Sequence, residues 1–129
     1  MCLYSTSVTP LIAEEDITVY KLLYNKEGTL LLYAPFYGFK YTPNKLYINN
    51  DTPDIVKYDD DETVAFHHIR RKIGKGFFHA YINRDIAKRQ LYRDYKHINT
   101  ILKATIPKGS KYFLGIDDDI CSNQIIINL

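Results

Sequence analysis

The spacing of apolar and polar positions changes once along this chain, between residues 77 and 84, and the other elements are best placed relative to that change. Phe77, Phe78, Tyr81 and Ile82 form an aromatic and apolar run that stops at Asn83. Beyond it Ile86, Ala87, Leu91 and Tyr95 recur at helical spacing while Arg84, Lys88, Arg89 and Arg93 fill the other side, the pattern of an amphipathic helix. Asn83 offers a short side-chain oxygen to a free N–H of the first turn, and Asp85 lies where the positive end of the helix dipole favours a carboxylate. The pattern predicts a strand running into a capped helix over residues 83–95. The helix is expected to pack through Ala87, Leu91 and Tyr95 against strands that include residues 17–24 and 124–129.

Away from this helix the chain reads as strands and turns. Residues 1–15 are expected to be an irregular arm, because Ser, Thr and Pro10 interrupt any period. Residues 17–24 (ITVYKLLY) form the first firm strand, and a turn at residues 25–28 leads to a hairpin partner at residues 29–33. Pro35, Gly38 and Pro43 break up residues 34–48, which predicts a loop ending in a short strand at residues 46–48. Edge strands are expected at residues 55–58 and 64–73, with acidic turns at residues 59–62 and 115–119. Residues 100–106 and 111–114 flank a turn at residues 107–110 that holds Gly109. The final strand, at residues 124–129, carries three consecutive isoleucines and is expected to be covered on both faces. The fold class is α+β: a mainly β single domain with one principal helix.

Composition narrows the functional classes. A chain of 129 residues is the size of one domain, and 46% hydrophobic with 25% charged residues is a folded rather than a disordered composition. No apolar run is long enough to cross a bilayer as a helix, and the first residues lack a signal-peptide pattern. Cys2 and Cys121 are too far apart to suggest a disulfide framework or a zinc site, so a reducing, cytoplasmic setting is expected. A net charge of +2 is too small to imply indiscriminate DNA binding. The 12 tyrosines and 6 phenylalanines suit half-buried pleated surfaces.

Two stretches carry candidate chemistry, each with a plainer alternative. His67, His68, Arg70, Arg71, Lys72 and Lys75 precede and interleave with Gly74 and Gly76, and guanidinium groups beside flexible backbone suit phosphate oxygens. A solvated strand and turn explains the same charges, and strand alternation would separate Arg70 and Lys72 from Arg71. Phe36, Tyr37, Phe39, Tyr41 and Tyr47 offer faces on which a base can stack, or else they close a small core or an interface with a second copy. His79, among Phe77, Phe78 and Tyr81, is either a core histidine or a ring contact for a ligand. The acidic runs 59–61 and 117–119 lack a calcium-loop pattern, and Cys121 reads as a buried, inert thiol. No metal and no cofactor is expected.

The ITVYK strand, the Met-Cys start and the paired segments IPKGSKY and SNQIII resemble a family of small bacteriophage and prophage proteins across nearly the whole chain. A more distant resemblance is to the ADP-ribosyltransferase fold. There, Tyr20 or Lys21 would take the place of a first-strand Arg or His, residues 78–81 the middle-strand element, and Gln124 the late-strand catalytic Glu. Gln124 has no charge with which to stabilise an oxocarbenium ion, so the resemblance implies a pocket that keeps binding and has lost turnover, with His79 and Tyr81 against a nicotinamide or adenine ring. The expected function is a phage-type accessory protein, in the host cytoplasm, that binds a small anionic nucleotide-like ligand and sequesters a host immune signal. Its expected ligand residues are Tyr20, Lys21, Tyr37, Tyr41, Arg70, Arg71, Lys75, His79, Tyr81 and Gln124. The alternatives are a divergent ADP-ribosyltransferase acting on a host protein or nucleic acid, and a structural or virion interaction module.

Overall fold

A computed structural model describes residues 3–5, 9–25, 32–33, 40–50, 55–58, 70–73, 77–93 and 100–129. In chain order they form strands β1 (Leu3–Ser5), β2 (Leu11–Ile12), β3 (Ile17–Asn25), β4 (Leu32–Tyr33), β5 (Lys40–Tyr41), β6 (Leu46–Ile48), β7 (Ile55–Tyr58), β8 (Arg70–Ile73) and β9 (Phe78–Tyr81). Helix α1 (Arg84–Arg93) follows, then β10 (Thr100–Ile106), β11 (Lys111–Leu114), β12 (Asp119–Ser122) and β13 (Gln124–Ile127). The chain is therefore mainly β with a single helix among the described residues, as its pattern predicts.

The strands pair antiparallel throughout the described residues. The large sheet has the order β2-β11-β12-β9-β3-β10-β13-β6, with β4 and β5 branching from the end of β3, while β1, β8 and β7 form a separate three-stranded sheet. The longest pairing is β3 with β10, which runs from Thr100 opposite Leu23 to Ile106 opposite Ile17. Alternation along these strands sorts their side chains onto two faces. Val19, Leu23, Ala80, Ala104, Ile106, Ile120, Ile125 and Ile127 form the inner face, closed by Tyr41 with Tyr47 and Phe78 packed against it. In a flat sheet β6 and β9, four strand spacings apart, would be separated by roughly 19 Å. Yet the rings of Tyr47 and Phe78 lie 6.4 Å apart, so the sheet curls around this core.

The helix covers the other face. Asn83 caps it, its Oδ1 accepting the Asp85 N–H at 2.8 Å, and Ala87 packs with Leu22 and Tyr81 beside Tyr20, Ile86 and Ile101. Its supports are β3 and β9. The expected support from residues 124–129 is not found, because β13 lies on the far side of β10. The side chain of Leu91 and all of Tyr95 lie outside the described residues. Next along this outer face, Phe113 packs with Phe77 and Cys121.

Three expectations about single elements change. The N-terminal arm is not wholly irregular: Leu3–Ser5 pairs with β8, and Leu11–Ile12 with β11. β8 is the middle strand of its sheet rather than an edge, while β7 is an edge. The isoleucine run is buried at Ile125 and Ile127 but only partly covered at Ile126. The turn residues 26–31 and the acidic tip 59–62 lie outside the described residues.

Buried polar groups are mostly satisfied by local geometry, as burial requires. The Ser110 hydroxyl donates to the Pro107 carbonyl at 2.6 Å, and Asn123 Oδ1 accepts the Lys111 N–H at 2.8 Å where the chain passes from β12 to β13. Gly109 sits in the intervening turn at φ 88°, its N–H bonded to the Ala13 carbonyl at 2.8 Å. A Cβ there would meet nothing within 4 Å, so a substitution is opposed by backbone conformation alone. Gly109→Val is expected to lose about 1–2 kcal/mol in urea denaturation. Equal stability would contradict the turn.

Asp119 is an exception to this satisfaction. Its Oδ1 is buried without a hydrogen-bond partner among the described residues. Burial, followed by the neighbouring charges of Asp117 and Asp118, raises the carboxyl from 3.8 to about 6. Between those values the folded protein holds a proton that the unfolded chain has released, so stability falls as pH rises through that window. Asp119→Asn is expected to gain about 1 kcal/mol at neutral pH, a figure discounted for a carboxyl partly open to water. It should also flatten the stability profile across that window. A variant less stable than the parent at pH 7 would contradict this reading.

Candidate functional site

Lys21 breaks the apolar pattern of the inner face. Alternation along β3 places it between Val19 and Leu23, and its side chain is 6% exposed. The ammonium donates to the His79 carbonyl at 2.5 Å and lies 5.5 Å from the centre of the Tyr41 ring. That carbonyl is within reach because β3 and β9 pair only at Tyr20 opposite Tyr81 among the described residues. No described carboxylate forms an ion pair with Lys21. Burial lowers the ammonium from 10.5 to about 8, and no described charge offsets that effect.

Chain reversal brings aromatic rings over this ammonium. Residues 40–48 cross from β5 to β6 through a turn in which Asn44 takes φ 61°, its N–H bonded to the Ile127 carbonyl at 2.7 Å. The Tyr47 hydroxyl accepts the Thr42 N–H at 2.6 Å and so locks the two ends of the reversal together. Tyr41 and Tyr47 meet edge to face at 5.1 Å, and Tyr41 meets Phe78 at 6.2 Å. Lys45 lies 5.3 Å from the Tyr47 ring centre, and Lys40 and Lys45 are both exposed.

These charges and rings act on one another. Burial first, and then Tyr47, hold the Tyr41 phenol above its ordinary value, so it stays protonated. Partial burial acts to raise Tyr47, but hydrogen bonding with Thr42 and the charges of Lys45 and Lys40 outweigh it and leave that phenol lowered. No described carboxylate projects from the inner face or lies within residues 40–50. The arrangement is three ammonium groups around three aromatic rings. Ammonium groups attract anions, and aromatic faces attract cations and planar groups.

Of the ligand residues expected from sequence, the structure brings Lys21 and Tyr41 together. Tyr20, His79 and Tyr81 belong to the opposite face, where Tyr20 and Tyr81 pack under α1 and His79 sits across from Cys121. Gln124 also points away from the inner face and pairs with Ile48 at the sheet edge, two strands from Tyr20. The side chains of these four therefore do not lie beside Lys21, contrary to expectation, although the His79 carbonyl holds its ammonium. Arg70 and Arg71 lie on β8, in the other sheet. Tyr37 and Lys75 lie outside the described residues.

Lys40 and Lys45 are not among the ligand residues expected from the sequence. The signal for them is the repeated pairing of lysine with tyrosine, Lys40-Tyr41 and Lys45-Leu46-Tyr47, on either side of a Pro-Asn turn. Cys121 is a buried free thiol pushed up to about 12, chiefly by burial, as its surroundings predict for an inert cysteine. Among the described residues no group of His, Cys, Asp and Glu could hold a metal ion, and no helix is long and apolar enough to cross a membrane. No family model, curated protein or solved structure matches the chain.

Proposed function

We propose that this protein binds a small anion that also carries a planar ring, a nucleotide-like ligand, and holds it without transforming it. The observation that carries this reading is the Lys21 ammonium, buried in an apolar core and bound, among the described residues, by a backbone carbonyl and a tyrosine face. A charge kept in such a place destabilises the fold unless an opposite charge joins it. A phosphate oxygen would supply that charge, and the Tyr47 and Phe78 rings would receive the base. The resemblance to phage proteins suggests the setting, capture of a host signalling nucleotide in the host cytoplasm.

Calorimetry against NAD, ADP-ribose, cyclic ADP-ribose isomers and cyclic dinucleotides tests the reading. One member is expected to bind in the micromolar range or tighter and to be recovered unchanged. Tyr47→Ala should weaken that binding by about 5- to 100-fold, the usual weight of a stacked base. Absence of binding across the panel would overturn the proposal, and consumption of the ligand would move the case to a divergent ADP-ribosyltransferase.

A further inference from the structure

The large sheet ends at β2, on the side of the molecule where β11 leads away from the candidate ligand site. Ala13 turns both of its backbone groups toward the β11 side, its N–H to the Ser110 carbonyl and its carbonyl to the Gly109 N–H, each at 2.8 Å. Because backbone direction alternates along a strand, Ile12 turns its N–H and carbonyl outward, and no described strand pairs with them. Leu11 and Ile12 are 47% and 54% exposed. They line a groove of about 650 Å³ with Glu14, Glu15, Asp16, Ile17, Thr18 and Tyr112.

The lining combines apolar Leu11, Ile12, Ile17 and Tyr112 with acidic Glu14, Glu15 and Asp16, and it includes no basic side chain. Glu14 and Glu15 are exposed, and Asp16 gives one oxygen to the Lys108 N–H at 2.8 Å. Two exposed lysines adjoin the groove: Lys111 pairs with Ile12 across from β11, and Lys108 follows Pro107 in the turn that bonds Asp16. An exposed strand edge beside an apolar trough is a template for a further strand, and carboxylates at its end select the charge of that strand.

We propose that the outer edge of β2 docks an extended segment of a partner protein in which lysine or arginine alternates with an apolar residue. The segment adds a strand beside Leu11 and Ile12, places its apolar side chains in the groove, and presents its cations to Glu14 and Glu15. This site is separate from Lys21 and stands whether or not a nucleotide binds there.

The test uses a short blocked peptide alternating lysine and valine, its glutamate–valine counterpart, and a lysine–valine peptide N-methylated at alternate positions. All three are titrated by NMR into the full chain at about 0.15 M salt, where loose charge attraction is screened. The lysine–valine peptide is expected to bind with shifts centred on the Leu11 and Ile12 amides. N-methylation should weaken it at least tenfold by removing the ladder donors, and the double substitution Glu14→Lys, Glu15→Lys should weaken it by about tenfold in a protein of unchanged circular dichroism. No binding at millimolar peptide, or equal binding of the glutamate–valine or N-methylated peptide, would overturn the proposal. Shifts of the same amides on dilution of the protein alone would place a second copy in the groove and overturn it as well.

Discussion

Lys21→Met is expected to stabilise the protein by about 3 kcal/mol at pH 7, which is an unusual direction for a substitution in a core. Methionine keeps the length of the stem and fills the space among Val19, Leu23 and Tyr41, while the cost of a buried ammonium with no carboxylate partner among the described residues disappears. The sign follows from proton linkage. Below about pH 8 the folded and unfolded chains both carry the Lys21 proton, and the full cost of burial is present. From there to 10.5 the folded protein releases a proton that the unfolded chain keeps, so parental stability climbs toward that of the variant. Tyr41 and Cys121, both raised, act in the opposite direction at alkaline pH; the Cys121 effect is common to both proteins and cancels in the difference, whereas that of Tyr41, which touches Lys21, cancels only in part. Urea denaturation of the pair at pH 7 and pH 10 measures the effect. A variant less stable than the parent at pH 7 would mean that Lys21 has a partner that neutralises it.

Phe113→Ala should act in the conventional direction, with a loss of about 3–5 kcal/mol. The ring is 2% exposed, lies 5.8 Å from the Phe77 ring and packs on Cys121 across the β11–β12 pairing. It is the largest fully buried side chain among the described residues, and the sheet around it is pinned on both sides, so little collapse can fill the space. The neighbouring Leu114 is 44% exposed, and Leu114→Ala should change stability by less than about 0.5 kcal/mol. Similar losses for the two variants would show that the outer-face cluster is not a core.

Elements are legible in the sequence where local chemistry decides them. Asn83 caps the helix, Gly109 takes its turn, and Leu46–Ile48 follows the Pro43–Asn44 reversal, each through one or two neighbouring residues. Elements are not legible where pairing partners decide them. β12 was hidden because Asp117 and Asp118 look like turn residues and Cys121, Ser122 and Asn123 are weak strand formers; pairing with β9 and β11 makes it a strand. Two-residue β2 is too short to show any period.

The faces of β3 were also hard to assign, since Tyr20, Leu22, Val19 and Leu23 cover both sides of a strand buried on both faces. The candidate residues divided for this reason. Lys21 and Tyr41 share the inner face, whereas Tyr20, His79 and Tyr81, close in sequence to Lys21 or to Phe78, point to the other side. Lys21 is legible as an anomaly, a charge at an inward position, only once that face is known.

Under the proposed function, Lys21 keeps its buried charge in order to meet an anion. NMR titration of the Lys21 side-chain carbon beside the amine, with and without a saturating amount of the tightest-binding nucleotide, tests it most directly. The free protein should titrate near 8, and the bound protein well above that, because an adjacent phosphate favours the charged form. An unchanged Lys21 titration in the saturated complex would contradict the account.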